Sequence, residues 1–483
     1  MSLTYEVEFW AIRQRKNRRK PFELRWRVGD RPHSQSFRLK TQAEGRQSQL
    51  LEALRQREQF DVGTGLPASE LHELKSPTWY EHACTYALMK WPDISAKHRA
   101  GIADALTAVT PTLVVASKEK RPPAATLRRA LQAYVFQAAR DDKGRVVLND
   151  DGRPQARKDV ETPPEDMATA LAWMAKHSMK VSELKGSEVL RDALFALSHR
   201  LDGKVAAENT TRRKYSVFNN ALRYAVERDL LAVNPLTRID WSPPQTDDEI
   251  DFRYVPNPKL ARSLIQSVGE RGVRGEHLEA FFGCMYYAAM RPSEVAALGE
   301  SACRLPDEGD AGAWGELVLS ESRPEVAAGW TDDGLSYEKR GLKKRARKAT
   351  RSVPIPPDLV SMLRTHLARY GTAPDGRMFR AAGGGRLRST EYADVWQLAR
   401  HETLAPADQG TPLAEVPYSL RHACVSLWLK AGVDPVEVAS RAGHSVTVLY
   451  RFYAKVIKGR QDADNARITR ALASGDADVN DGA

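Results

Sequence analysis

Hydrophobic and polar positions divide this chain into segments of different period. At the start Tyr5, Val7 and Phe9 alternate with Glu6, Glu8 and Trp10, and Phe22, Leu24, Trp26 and Val28 alternate with charged residues. A period of two is that of a half-buried strand. Gly29-Asp30 is a turn signal, and it predicts a third strand around residues 36–39. Thr41 followed by Glu44 reads as a capping box opening a helix that carries Leu50, Leu51 and Leu54. Residues 1–60 are therefore expected to form a small sheet backed by one helix.

Beyond a linker over 60–77, apolar residues recur at helical spacing near 78–92, 96–109, 124–139, 164–178 and 186–200, then strongly over 211–231. The stretch 141–162, rich in Asp and Gly, interrupts them and reads as a hairpin or loop. An all-α region over 76–236 follows. Residues 236–256 include SPPQTDDEID, a polar, proline-bearing linker. A third region, mainly α with some strand, is expected over 256–470, and the small, acidic residues 471–483 read as a disordered tail.

At 483 residues the chain exceeds what one hydrophobic core holds, so two to four domains fit its length. The net charge of +11 and pI near 9.4 suggest a polyanionic partner. Residues 1–60 hold fourteen Lys and Arg against seven Asp and Glu, seven of the net +11. Arg13, Arg15, Lys16, Arg18, Arg19 and Lys20 fall in the first hairpin connection, either a solvated loop or a footing for an anion. Arg212, Arg213 and Lys214 are expected in the first turn of the helix from Thr211, where they would oppose the helix dipole unless an anion compensates. Cys84, Cys284, Cys303 and Cys424 are scattered, without metal-ligating spacing, and no acidic cluster or histidine pair proposes a metal. No apolar run reaches the roughly 18 residues of a membrane span and no signal-like segment opens the chain, so a soluble cytoplasmic protein without cofactor is expected.

The chemistry concentrates in PYSLRHACVSLWLKAGVDPVEVASRAGHSVTVLYRFYAKVI, residues 417–457. An apolar helix over 423–430 ends at Gly432, and Asp434 caps a second helix with Pro435 at its first position. That helix runs into Gly443, which leaves His444 in a turn. Ser445 can cap a last helix on which Val446, Leu449, Tyr450 and Tyr453 share one side. Arginine, imidazole and phenol are thus brought into one neighbourhood.

This block resembles the signature of the tyrosine recombinases, the phage integrase family, of the kind carried by actinobacterial phages and integrative elements. Leu420-Arg421-His422, Ala431-Gly432, Gly443-His444-Ser445 and Tyr453 match its HxxRH, AG, GHS and distal tyrosine. Tyr418 stands where the family's first histidine is found. The upstream run AAMRPSEVAAL is similar to the family's first box, with Arg291 at a helix start and Glu294 orienting it or capping the helix. Residues 339–351 contain eight basic residues. By similarity to the LKxRA…TRxVPIPP pattern, Lys343 is the family's hairpin lysine, with Lys344 its close competitor and Arg345 a DNA contact. A solvated or localisation run has the same composition.

The resemblance implies three domains: an α+β N-terminal arm-site DNA-binding unit, an all-α core-binding domain ending with residues 217–235, and an α+β, mainly helical catalytic domain. In that family the last two clamp double-stranded DNA. It implies that Tyr453 attacks a phosphodiester to leave a 3′-phosphotyrosine, with Arg291, Arg421 and His444 around the phosphorus and Lys343 as acid. Tyr418 would hydrogen-bond a phosphate oxygen, and His422 would brace the site. The implied partners are attachment-site DNA, three further copies of the chain in a tetramer, and a directionality factor, with a mobile element integrated or excised. A type IB topoisomerase-like enzyme would share the chemistry, and a non-catalytic DNA-binding regulator would share the charge.

Overall fold

The computed structural model describes residues 2–245, 250–307, 309–310, 312–342, 349–458 and 461–474. The chain divides into two compact units, Met1–Gln245 and Thr246–Ala483.

The first unit opens on a four-stranded antiparallel sheet. Its central strand Phe22–Val28 pairs along its whole length with Arg31–Phe37. On the other edge its two halves pair with Val7–Phe9 and Arg13–Gln14. Leu24, Trp26 and Val28 alternate inward and are buried against Leu50 of the helix Lys40–Arg55. Three expectations shift. The strand after the turn starts at Arg31 rather than near 36, because Gly29, at a φ of +54°, closes a two-residue loop that puts Arg31 opposite Val28. Apart from half-buried His33, which stacks on Trp26, its polar residues face solvent at a sheet edge, so no hydrophobic alternation marks it. The helix starts at Lys40, and the backbone N–H of Leu39 donates to Gln42 Oε1, so Thr41 and Glu44 do not form the cap. Residues 60–77 are structured. Phe60–Asp61 pairs with Leu3–Thr4, Phe60 joins the core, Trp26 Nε1 donates to the Gly65 carbonyl, and Ala68–Lys75 is a helix.

Helices Trp79–Lys90, Ala96–Val109, Ala124–Ala130, Glu165–His177, Ser187–Ser198 and Glu208–Glu227 build the rest of this unit. Thr78 and Glu81 form a reciprocal cap on the first of them. Trp79 packs edge-on against Phe218, centroids 5.5 Å apart, which ties that helix to the last one. The stretch 141–162 doubles back through bridges at Arg140↔Val146 and Leu148↔Pro154, then forms a short helix Arg157–Val160.

The second unit is helical around a small sheet. The antiparallel strands run in the order Arg351–Ile355, Gly315–Leu319, Cys303–Arg304, and a two-residue ladder joins Arg340–Gly341 to Glu321–Ser322. Phe281 and Phe282 of the helix Gly272–Tyr287 lie at the core with Trp396 of the helix Ser389–Thr403. Leu420, Leu429, Leu449 and Tyr453 join the same core, so the segment 420–453 is built into it. The final described helix, Gln461–Ser474, runs past residue 470, and the remainder of the expected tail lies outside the described residues. Among the described residues no helix is long and apolar enough to cross a membrane.

Candidate active site

The helix Ser419–Ala431 ends at Gly432, whose φ of +92° is the left-handed cap that glycine takes without steric conflict. Asp434 then accepts from the backbone N–H groups of Val436 and Glu437 and starts the helix Pro435–Ala442. Gly443, at a φ of +63°, stops it, and a Cβ there would strike the Arg351 guanidinium. His444 follows in the turn, and Ser445 Oγ accepts from Val448 N–H at the start of Val446–Lys458. All of these punctuation signals are local.

Arg421 is completely buried. Its guanidinium donates to the carbonyls of Ala289 and Ala442, and its Nη2 lies 2.8 Å from His444 Nε2. Ala289 holds a φ of +48°, a left-handed conformation unfavourable for alanine, which turns that carbonyl toward Arg421. Two residues on, Arg291 caps the helix Pro292–Val295, and its Nη2 donates to the Gly443 carbonyl at 3.1 Å. Segments more than a hundred residues apart in sequence are joined here through side chain to backbone bonds.

Beneath them lies an ion cluster in which the expected Arg291–Glu294 pair is joined by Arg351, the member that sequence reasoning missed. Glu294 is 2% exposed and accepts from the Arg291 backbone N–H at 2.8 Å and from Arg291 Nη1 at 2.9 Å. Arg351 Nη1 and Nη2 reach its two oxygens at 3.1 and 2.9 Å, a bidentate pair. Burial opposes ionisation of Glu294, yet Arg351 and Arg291 hold its pKa down to about 2. Glu294 thus both caps the helix and orients Arg291. In the sequence Arg351 is one cation in a basic run. Only the pairing of Arg351 with Leu319 turns it inward.

Tyr453 interrupts its helix with a φ of −118° and a ψ of 18°, and it is 1% exposed. Tyr450, one turn earlier, is 48% exposed, so the expected common side divides, with Leu449 and Tyr453 inward and Tyr450 in solvent. The Tyr453 hydroxyl lies 2.9 Å from His422 Nδ1, and its ring is 6.4 Å from that of His444. Burial raises the phenol's pKa, with Arg421 pulling in the opposite direction. Burial and Arg421 push His422 down to about 4, and burial with Arg421 and Arg291 pushes His444 down to about 3. Both rings are neutral near pH 7. Tyr418, just before the helix Ser419–Ala431, packs its ring edge-on against His422 at 5.1 Å and its hydroxyl interacts with Arg291.

Arg291, Glu294, Tyr418, Arg421, His422, His444 and Tyr453 therefore share one neighbourhood within the second unit. Lys343, Lys344 and Arg345 lie outside the described residues. The other basic residues expected to meet DNA belong to the first unit. Lys16, Arg18 and Arg19 are exposed between the strands Arg13–Gln14 and Phe22–Val28, Arg13 is exposed on the first of these, and Arg15 pairs with Glu23 at 2.7 Å. The helix carrying Arg212 and Arg213 begins at Glu208, so these cations and Lys214 sit beyond its first turn and do not oppose the helix dipole as expected. Lys214 pairs with Asp104 at 3.0 Å, a partner from the helix Ala96–Val109.

No protein-family model matches this chain. No curated protein matches it either. Among solved structures, the Tn1549 transposon integrase in complex with transposon right end DNA is similar at 17% identity and a TM-score of 0.47, over 65% of this chain and 96% of that one. The XerH site-specific recombinase bound to its difH substrate is similar at 12% identity and a TM-score of 0.38, over 58% and 70% of the two chains. A lambda integrase dimer bound to a COC' core site is similar at 11% identity and a TM-score of 0.38, over 60% and 92%. Likenesses this loose describe a partly shared course of the backbone and carry nothing about chemistry.

Proposed function

We propose that this chain is a site-specific DNA recombinase that cleaves and rejoins strands through a 3′-phosphotyrosine link at Tyr453. The observation that carries the reading is the gathering of Arg291, Arg421, His444 and Tyr453, from positions spread over residues 291–453, into one linked neighbourhood: Arg291 bonds to the Gly443 carbonyl, Arg421 to His444, and the His444 ring lies 6.4 Å from that of Tyr453. Phosphodiester exchange by an enzyme nucleophile needs a group to attack phosphorus, fixed cations for the nonbridging oxygens and a proton for the leaving oxygen. Guanidinium groups suit the second task, being charged at any working pH and able to donate two parallel bonds.

In this reading Tyr453 Oη bonds to phosphorus, the P–O5′ bond breaks and a 5′ hydroxyl leaves. Arg291, Arg421 and His444 stabilise the charge that develops on the phosphorane oxygens. Lys343, by the resemblance of its segment, supplies the leaving proton, with Lys344 as alternative. The covalent link conserves the phosphodiester energy, so each exchange is reversible without a nucleotide cofactor. Exchange between two duplexes takes four active tyrosines, hence a homotetramer on attachment-site DNA, with an accessory factor setting direction between integration and excision of a mobile element. Arg13, Lys16, Arg18, Arg19, Arg212 and Arg213 are proposed phosphate contacts, with Arg15 and Lys214 held partly by their acidic partners.

The test is covalent trapping. A nicked suicide duplex carrying candidate attachment sequence should yield a protein–DNA adduct stable to denaturation and mapping to Tyr453. A chain that binds this DNA but never forms the adduct is a DNA-binding regulator instead. Strand exchange between two duplexes separates recombination from simple relaxation.

A further inference from the structure

We propose that His422 is the proton acceptor for Tyr453, its Nδ1 taking the phenolic hydrogen as the phenol oxygen bonds to phosphorus. The proposal rests on the reading of Tyr453 as a nucleophile and assigns a role to a side chain otherwise expected only to brace the site.

Geometry carries it. The Tyr453 hydroxyl has one hydrogen-bond partner among the described residues, His422 Nδ1 at 2.9 Å. A protonated phenol beside a neutral imidazole gives the bond one sense, with O–H donating and Nδ1 accepting. The ring hydrogen then lies on Nε2. His444, the other imidazole nearby, is already engaged through Nε2 by Arg421, which can only donate. The groups facing His422 are Tyr418 from just before its helix, Arg421 from the helix itself, Tyr453 from the helix Val446–Lys458, and His444 from the turn before that one. No carboxylate competes with His422 for the phenolic proton in this set. The break in helical geometry at Tyr453 belongs to the same arrangement, since the ring is buried while Tyr450 faces solvent.

The step balances. The Oη–H bond breaks as Oη–P forms, and the proton moves to Nδ1. The electron pair of the P–O5′ bond leaves with the 5′ oxygen, which takes a proton from a general acid, the ammonium of the hairpin lysine. His422 holds its proton as imidazolium until the 5′ hydroxyl attacks in return, and then restores it to the phenol oxygen. A substrate phosphate brings a negative charge that offsets Arg421 and makes the imidazolium easier to form.

The experiment compares wild type, His422→Ala and His422→Asn on a suicide duplex and on the same duplex with sulfur at the 5′ bridging position. A thiolate leaves without an acid, so the sulfur substrate isolates the attacking side of the reaction. Each variant is expected to bind DNA like wild type and to form adduct about 100-fold more slowly or worse on both substrates. Asparagine can accept the phenol's hydrogen bond but cannot take the proton. A rate restored by Asn would reduce His422 to a positioning residue and overturn the proposal. Rescue of the Ala variant by sulfur would place the defect on the leaving group and overturn it as well, and so would an Ala variant as fast as wild type. Failure of the wild type to form any adduct at Tyr453 would remove the recombinase reading itself, a result distinct from all three.

Discussion

His444 Nε2 and Arg421 Nη2 lie 2.8 Å apart, and because a guanidinium only donates, the imidazole must accept there and carry its hydrogen on Nδ1. That Nδ1 is buried and has no partner among the described residues. It is a fixed donor in a site of low dielectric, suited to an anionic oxygen. His444→Ala is therefore expected to slow adduct formation by about 100- to 1000-fold, the usual effect of losing one such donor. Gel-shift affinity should change only a few fold. A loss confined to affinity would contradict this assignment.

Tyr453→Phe should bind DNA and give no adduct, while Tyr450→Phe should cleave normally, because Tyr450 points into solvent. Denaturing gels of the trapped complex decide between them. An adduct surviving in Tyr453→Phe would move the nucleophile elsewhere.

Arg351→Met tests the buried cluster. Removing one partner of a buried ion pair usually costs about 3–5 kcal/mol, and the lower end is expected because Arg291 still faces Glu294. Urea denaturation measures the loss. Cleavage should fall too, since Arg291 is aimed by Glu294 and Gly443 lies against Arg351. A variant as stable as wild type would mean that Glu294 is held well enough by Arg291 alone.

The two site histidines set an acid limit. Their folded pKa values, about 4 for His422 and about 3 for His444, lie below the ordinary value of 6.5. The unfolded chain then binds more protons below pH 6.5, so the stability that comes from keeping the rings neutral is fully present above that pH. It is lost as pH falls toward 4 and 3. At pH 5 the loss is up to about 2 kcal/mol per ring. Glu294, with its pKa lowered to about 2, adds a second loss as pH drops below its ordinary 4.5. Urea midpoints between pH 7.5 and 4 should fall in wild type and less steeply in His422→Phe. Parallel curves would contradict the assignment.

Arg18→Glu with Arg19→Glu should weaken DNA binding and lower the slope of affinity against salt, by about one for each phosphate no longer neutralised. Lys214→Ala, which removes one of the two cations paired with Asp104 and leaves Arg128, should instead lower thermal stability slightly. An unchanged salt slope in the first pair would take the hairpin out of the DNA interface.

The terminal block was legible because its signals are short-range. Gly432, Asp434, Gly443 and Ser445 act on neighbours within three residues, and each stands where its local chemistry requires. The strand Phe22–Val28 was equally plain, since alternation alone buries Leu24, Trp26 and Val28. What escaped depends on distance or register. Arg351 is cationic like its neighbours until strand pairing turns it toward Glu294. Lys214 looks free until the helix Ala96–Val109 supplies Asp104. Tyr450 and Tyr453 share an apolar stripe until the backbone breaks between their directions. Arg31–Phe37 carries no apolar rhythm, because an edge strand is held by its neighbour's backbone.

The buried cluster of Arg291, Glu294, Arg351 and Arg421 has a consequence for how this protein responds to its solvent. Two guanidinium groups bond to one carboxylate there and Arg421 lies close enough to add its field, so among these four the folded state carries an excess of two positive charges with little water to screen them. Small tetrahedral anions such as sulfate or vanadate would bind the folded chain and not the unfolded one. By mass action they raise its melting temperature in proportion to the logarithm of their concentration, once above their dissociation constant. The stability of the second unit would then report, without any DNA present, on the affinity of this cation cluster for a phosphate-like charge.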